Sequence, residues 1–195
     1  MHYINQLNYP HLVYHTNAKR DVPAEEKINT VKAVGCGLCC ACMVVNSLTP
    51  YTLNIEDCVK ISESCGANPY RGTNMSILAP VIAEKYDLVY TATDDLEEAI
   101  AHLQKGGQII VHTGIPEGQE IGLFTQSGHY ILAVSTDGKE FCILDPEYSP
   151  GKFDIPKRSG KVDDSHAPYL YCDVNIVDSE TKPGKTKYHL FARNR

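Results

Sequence analysis

A cysteine between two glycines opens one of the few stretches of this sequence that look built for chemistry: Gly35-Cys36-Gly37-Leu38-Cys39-Cys40-Ala41-Cys42-Met43-Val44-Val45-Asn46. The run after Gly37 is apolar and free of proline, so the spacing predicts a tight turn that delivers Cys36 to the first turn of a buried helix. A helix N-terminus offers unpaired N–H groups and the positive end of the peptide dipole. Both favour thiolate over thiol, and the thiolate is the nucleophile. The flanking glycines let a substrate backbone come close.

A cysteine nucleophile needs a base, and the base needs an orienting group. Ser127-Gly128-His129-Tyr130 places a histidine at the start of a β-branched, apolar run, after a glycine-rich loop over 114–128. Asp137-Gly138 signals a hairpin turn, and Lys139 to Leu144 returns beside the first strand. The segment from His129 to the turn roughly mirrors the segment from the turn to Asp145, so Asp145 is expected near His129. A carboxylate there fixes the imidazole tautomer and leaves the other ring nitrogen for the thiol. The expected set is Cys36 as nucleophile, His129 as base and Asp145 as orienter. The Cys36 backbone N–H is a natural oxyanion donor. Gln6 is the candidate side-chain donor, with Asn5 its immediate rival. Each residue also has a plain structural reading: a buried thiol, one of eight histidines, a turn aspartate ahead of Pro146, a solvated glutamine.

The elements expected to hold these groups follow from pattern. Residues 1–30 read as irregular. Helices are expected over Gly37–Ser47, Ile55–Ser64 (capped by Asn54), from Thr73 or Asn74 to Tyr86 with Pro80 as a possible kink, and from a Thr93-Asp94-Asp95 cap to Gln104. Strands are expected over Leu88–Thr91, Gln108–Thr113, His129–Thr136, Lys139–Leu144, Lys152–Ile155, Tyr169–Val177 and Thr186–Ala192. Helices first and an antiparallel sheet second give an α+β fold, with a central N-terminal helix packed on the sheet. The expected organisation is a single domain over 1–195, helical over about 30–106 and sheet over about 107–195.

Composition narrows the function. With 195 residues and 43% hydrophobic content, the chain can bury a real core. The net charge is −6. The densest basic stretch, Lys152 to Lys161, is diluted by Pro, Asp, Ser and Gly, which argues against a nucleic-acid partner. No stretch approaches the roughly 18 apolar residues of a membrane span. No signal peptide is visible, so a complete chain would be cytoplasmic and a trimmed one could be secreted. Eight cysteines in a chain of this size read as free thiols, with Cys39, Cys40 and Cys42 acting as small apolar residues.

Gly35-Cys36-Gly37 opening an apolar helix with Met43-Val44, then Gly128-His129-Tyr130, then Asp145-Pro146, resembles the papain-like cysteine peptidases related to bacteriocin-processing, double-glycine leader peptidases. The resemblance covers residues 4 to about 146. It implies that Cys36 is the nucleophile, His129 the base, Asp145 its orienter and Gln6, followed by Tyr9-Pro10, part of the oxyanion hole. It implies hydrolysis of a peptide or amide bond, a peptide or protein substrate, and no cofactor. This chain carries Leu38-Cys39-Cys40 where relatives often carry Pro-Thr or Pro-Ser, and its long tail after Pro146 lies beyond the resemblance.

Other readings compete. Cys36-Gly37-Leu38-Cys39 is a C-x-x-C at a helix start, the arrangement of a thiol–disulfide redox protein, but no βαβ unit surrounds it. Cys36 and Cys39 with Cys58 and Cys65, or with a histidine, could bind zinc, but the Cys58–Cys65 spacing is unlike a zinc knuckle. A catalytically idle peptide-binding module would keep the fold without the reaction. His112 reads as structural, Asp94 to Glu98 as a solvated helix start, and Asp163-Asp164 as weak grounds for calcium. Loop 114–127 is expected to rim the substrate groove.

Overall fold

The computed structural model describes residues 2–194, so Met1 and Arg195, which the 1–30 and 1–195 assignments include, lie outside the described residues. The chain forms two compact units, residues 2–90 with 193–194, and Thr91–Ala192.

The first unit is mostly helical. A 3-10 turn at Gln6–Asn8 is followed by β1 (Val13–His15), a 3-10 turn at Ala24–Lys27, β2 (Ile28–Thr30), α1 (Val31–Val34), α2 (Cys36–Leu48), α3 (Ile55–Ser64) and α4 (Met75–Lys85). The stretch 1–30 is thus less irregular than expected: β1 and β2 pair antiparallel, Val13 opposite Thr30 and His15 opposite Ile28. Helix α2 is apolar nearly all round, and ten of its residues are buried. Such a helix belongs inside a core rather than on its surface. Helix α3 starts where Asn54 accepts a hydrogen bond from the Asp57 N–H, with Glu56 and Asp57 in its first turn. Helix α4 runs through Pro80 as one helix, capped by Asn74.

The second unit is a sheet with helices. After β3 (Leu88–Thr93), on which the chain passes between the units, come α5 (Leu96–Gln104), β4 (Gln108–Thr113), β5 (His129–Thr136), β6 (Glu140–Leu144), β7 (Val162–Asp163), β8 (Tyr169–Asp173), α6 (Val174–Ser179) and β9 (Tyr188–Arg193). The strand order is β3–β9–β4–β5–β6–β8–β7. The pairs from β9 to β7 are antiparallel. Its core gathers Ile109 and Val111 from β4, Ile131 and Ala133 from β5, Ile143 from β6, and Ala99 and Leu103 from α5.

Two expected strands are corrected. Lys152–Ile155 is a run of turns, although Lys-Phe-Asp-Ile alternates as a strand would. Gly151 sits at φ +83° and successive turn bonds tighten the chain. Phe153 is buried against Phe124, ring centroids 5.9 Å apart. Tyr169–Val177 is strand only to Asp173, whose carboxylate accepts from the Asn175 and Ile176 N–H groups and starts α6.

Candidate active site

Cys36 is the first residue of α2, and Gly35 occupies the cap position before it. The Gly35 N–H donates to Val31 O (2.7 Å), closing α1, while Gly35 O accepts from the Cys39 N–H (3.0 Å), opening α2. A Cβ on Gly35 would stand 2.5 Å from Val31 Cγ1 and 2.6 Å from Val31 O. Gly35 therefore has a packing reason for being glycine: two helices meet there without space for a side chain. Cys36 is half-buried at the helix start, whereas Cys39, Cys40, Cys42 and Cys58 are fully buried. Burial, and then the neighbouring Cys36 and Cys58, push the Cys39 thiol well up. All eight cysteines are free thiols. Among the described residues, no group of three or more His, Cys, Asp or Glu is arranged to hold a metal ion.

Gln6 lies in the same unit. Its Nε2 donates to Lys32 O in α1 (2.8 Å), four residues before Cys36. Its Oε1 is buried and has no hydrogen-bond partner among the described residues. The rival, Asn5, accepts from the Leu7 N–H (2.9 Å) and caps the Gln6–Asn8 turn.

His129 and Asp145 belong to the second unit, and the hairpin brings them together. His129 Nε2 lies 2.7 Å from Asp145 Oδ1, with His129 3% and Asp145 0% exposed. Register explains the meeting. Leu132 faces Leu144 and Ala133 faces Ile143, but beyond a bulge Ser135 faces Cys142. Continued one residue, the first register sets Asp145 opposite Ile131, hence on the same face as His129. Such diagonal neighbours are within reach of longer side chains. Without the bulge, Asp145 would fall opposite Leu132, on the other face.

Three further donors surround this carboxylate or its neighbourhood, and one was invisible in the sequence. The Glu147 N–H donates to Asp145 Oδ1 (2.8 Å). Lys152 Nζ donates to Asp145 Oδ2 (2.7 Å) from a side chain only 7% exposed, with Glu147 Oε2 at 3.5 Å. Buried Arg158 reaches Gly122 O through Nε (3.1 Å) and Lys152 O through a terminal nitrogen (3.4 Å). Burial alone would push the Asp145 carboxyl up, but the opposing charges of His129 and Lys152 and their hydrogen bonds overcome it, holding Asp145 well below the ordinary carboxylate range. Lys152 was expected to start a strand; nothing local marks it as the partner of a carboxylate seven residues earlier.

The loop between β4 and His129 is tied at its base. Gly114 N–H donates to Glu180 O (2.8 Å) and Leu123 N–H to the Glu180 carboxylate (2.5 Å). A Cβ on Gly122 would overlap Gly114 O. Lys182 Nζ lies 3.4 Å from Ser127 O, and a Cβ on Gly128 would collide with it.

No family model matches this chain, and no curated protein matches its sequence. Among solved structures, it superimposes on a protein of Bacillus anthracis whose assignment as a C39-like peptidase is itself provisional. That match has a TM-score of 0.56 at 13% identity and covers 82% of this chain and 88% of the other. Identity this low speaks to fold alone. The chain has the α+β, papain-type fold of a C39-like peptidase, which agrees with the fold the sequence resemblance implies. No helix among the described residues is long and apolar enough to cross a membrane.

Proposed function

We propose that this protein is a cysteine peptidase or amide hydrolase working through Cys36, His129 and Asp145, within one catalytic domain. The observation that carries the reading is the buried 2.7 Å contact between His129 Nε2 and Asp145 Oδ1. An ionised Asp145 accepts from Nε2–H, so neutral His129 bears its lone pair on Nδ1, the nitrogen that would serve the thiol. The Cys36 thiolate, paired with protonated His129, attacks the scissile carbonyl. The Cys36 N–H and Gln6 hold the oxyanion. His129 gives its proton to the leaving amine, and water then cleaves the thioester, with His129 as base. The substrate is a peptide or protein, and the chemistry needs no cofactor. As in the leader peptidases the sequence resembles, a groove rimmed by the glycine-rich loop 114–127 would favour small residues beside the scissile bond.

The redox alternative needs Cys39 as a second working thiol, and its complete burial and raised pKa work against that. Incubation with a diverse peptide mixture, read for new termini by mass spectrometry, tests both readings. The native protein is expected to generate new termini, Cys36→Ala and His129→Gln none, and Cys39→Ser as many as the native chain. Loss of cleavage in Cys39→Ser, or a native protein that cleaves nothing and whose Cys36 alkylates no faster than Cys65, overturns the reading.

A further inference from the structure

Resting on the hydrolase reading, we propose that Lys152 is a positioning residue: its ammonium keeps Asp145 ionised through both proton states of His129 and sets the pH at which the imidazole takes and gives up its proton. The need for such a group follows from burial. Asp145 is 0% exposed, and an isolated carboxylate in that position would neutralise itself by taking a proton. While His129 is an imidazolium, the two charges balance. Once His129 has passed its proton to a leaving amine, it no longer compensates the carboxylate. A lysine at 2.7 Å on the second carboxylate oxygen then supplies the missing charge. Asp145 thereby goes on accepting from Nε2–H in both states, and the ring keeps its tautomer.

The ammonium is held in place. The Lys152 N–H donates to Ser149 O (3.0 Å), Nζ also lies 3.5 Å from Glu147 O, and Arg158 ties Lys152 O to the loop carbonyl of Gly122. The next residue, Phe153, is locked between Phe124 and Tyr148. The sign of the effect on His129 is fixed by charge. Lys152 opposes the imidazolium directly and offsets part of the attraction of Asp145, so it lowers the pH at which His129 loses its proton. Charged or titratable groups near this pair within the second unit include Glu147, 3.5 Å from Lys152, and on β4 His112, which bears electrostatically on His129 and on Lys182.

The test is an NMR titration of the His129 ring, assigned with His129→Gln and carried out in the Cys36→Ala protein so that the thiol does not intrude. Lys152→Met, and Lys152→Gln, which keeps a donor for Asp145 without the charge, are expected to raise the His129 midpoint by roughly one pH unit or more. In the thiol-bearing enzyme, the same substitutions should move the alkaline limb of kcat/KM upward. A folded variant with an unmoved or lowered midpoint overturns the proposal. Unfolding of both variants overturns it too, making Lys152 a strut of the fold. The titration is read on the ring itself, so it is separable from the hydrolase reading. An unshifted midpoint in an active enzyme removes Lys152 alone. A shifted midpoint in a protein that cleaves nothing removes the reaction, and with it the catalytic use of Lys152.

Discussion

Gln6 shows how one hydrogen bond can divide a side chain between structure and chemistry. The carbonyl of Lys32 can only accept, so the Gln6 nitrogen must face it, and one of the two Nε2 protons is used there. The second proton is the one the oxyanion role requires. Gln6→Ala is expected to lower kcat by about 10²- to 10³-fold with little change in KM, as for the loss of other oxyanion donors. Asn5→Ala, which removes a turn cap, should instead lower the melting temperature while sparing kcat. Steady-state kinetics and thermal melts of the two variants decide between the neighbours; equal loss of kcat in both would end the distinction. At this scale the sequence was informative wherever a residue's neighbours in the chain determine its setting. Cys36 between its glycines and His129 ahead of a hairpin are such cases. Lys152 is the counterexample: its partner lies across a series of turns, and Gly-Lys-Phe-Asp-Ile looks like a strand leaving a surface turn.

Elements were legible in proportion to how local their causes are. The caps at Asn54 and Asp95 and the hairpin at Asp137-Gly138 mark their own boundaries. The β5 bulge between Ala133 and Ser135 has no such mark, since neither glycine nor proline lies there, yet it decides which face Asp145 joins. The pairing of β4 with β9, more than seventy residues away, was equally silent. Near that pairing His112 is half-buried and His189 buried, with ring centroids 4.3 and 6.2 Å from that of Tyr130. Burial, joined by Lys182, His189, Lys185 and His129, brings His112 down to about 3; burial brings His189 down to about 4 despite the opposing pull of Asp94. Both rings stay neutral in the folded protein over a range in which the unfolded chain, titrating near about 6.5, is protonated. The unfolded state then binds more protons, so stability falls as pH drops from about 6.5 toward 4, by up to about 3 kcal/mol per pH unit when both rings contribute fully. Asp145 acts in the same sense but lower on the scale: its depressed pKa stabilises the fold above the unfolded carboxylate value, and that contribution is lost progressively as pH falls below about 4. Denaturant titrations at pH 7, 6 and 5 should show the loss, and His112→Gln with His189→Gln should flatten it. An unchanged slope in the double variant would assign the acid sensitivity elsewhere.

For the molecule as a whole, the eight thiols give a direct readout of folding. Only Cys36 and Cys65 are other than buried, and Cys65 leans on Ser62 O at 3.5 Å. Brief treatment of the native protein with iodoacetamide is expected to modify Cys36 first and Cys65 more slowly, with the remaining six protected until denaturant is added. Early modification of Cys39, Cys42 or Cys58 would mean that α2 and α3 open readily, contrary to their buried packing. The α+β class, and a chain long and apolar enough to bury a core, could be read from composition and element order. Which distant segments share a sheet could not, because pairing across seventy residues is settled by the competition of whole strands rather than by any residue's own preference.

The knotted base of the loop before His129 separates two kinds of sequence change. Gly114, Gly122 and Glu180 form a neck that tolerates almost no alteration, since even a methyl group at residue 122 meets the carbonyl of residue 114. Beyond that neck, residues 117–120 are exposed, and Gly118, at φ +77°, has open space around it. The tip can therefore diverge in length and chemistry while the strand entering at His129 keeps its course. In an evolving lineage, or in a designer's hands, this is where one scaffold could acquire new tastes without relearning how to fold.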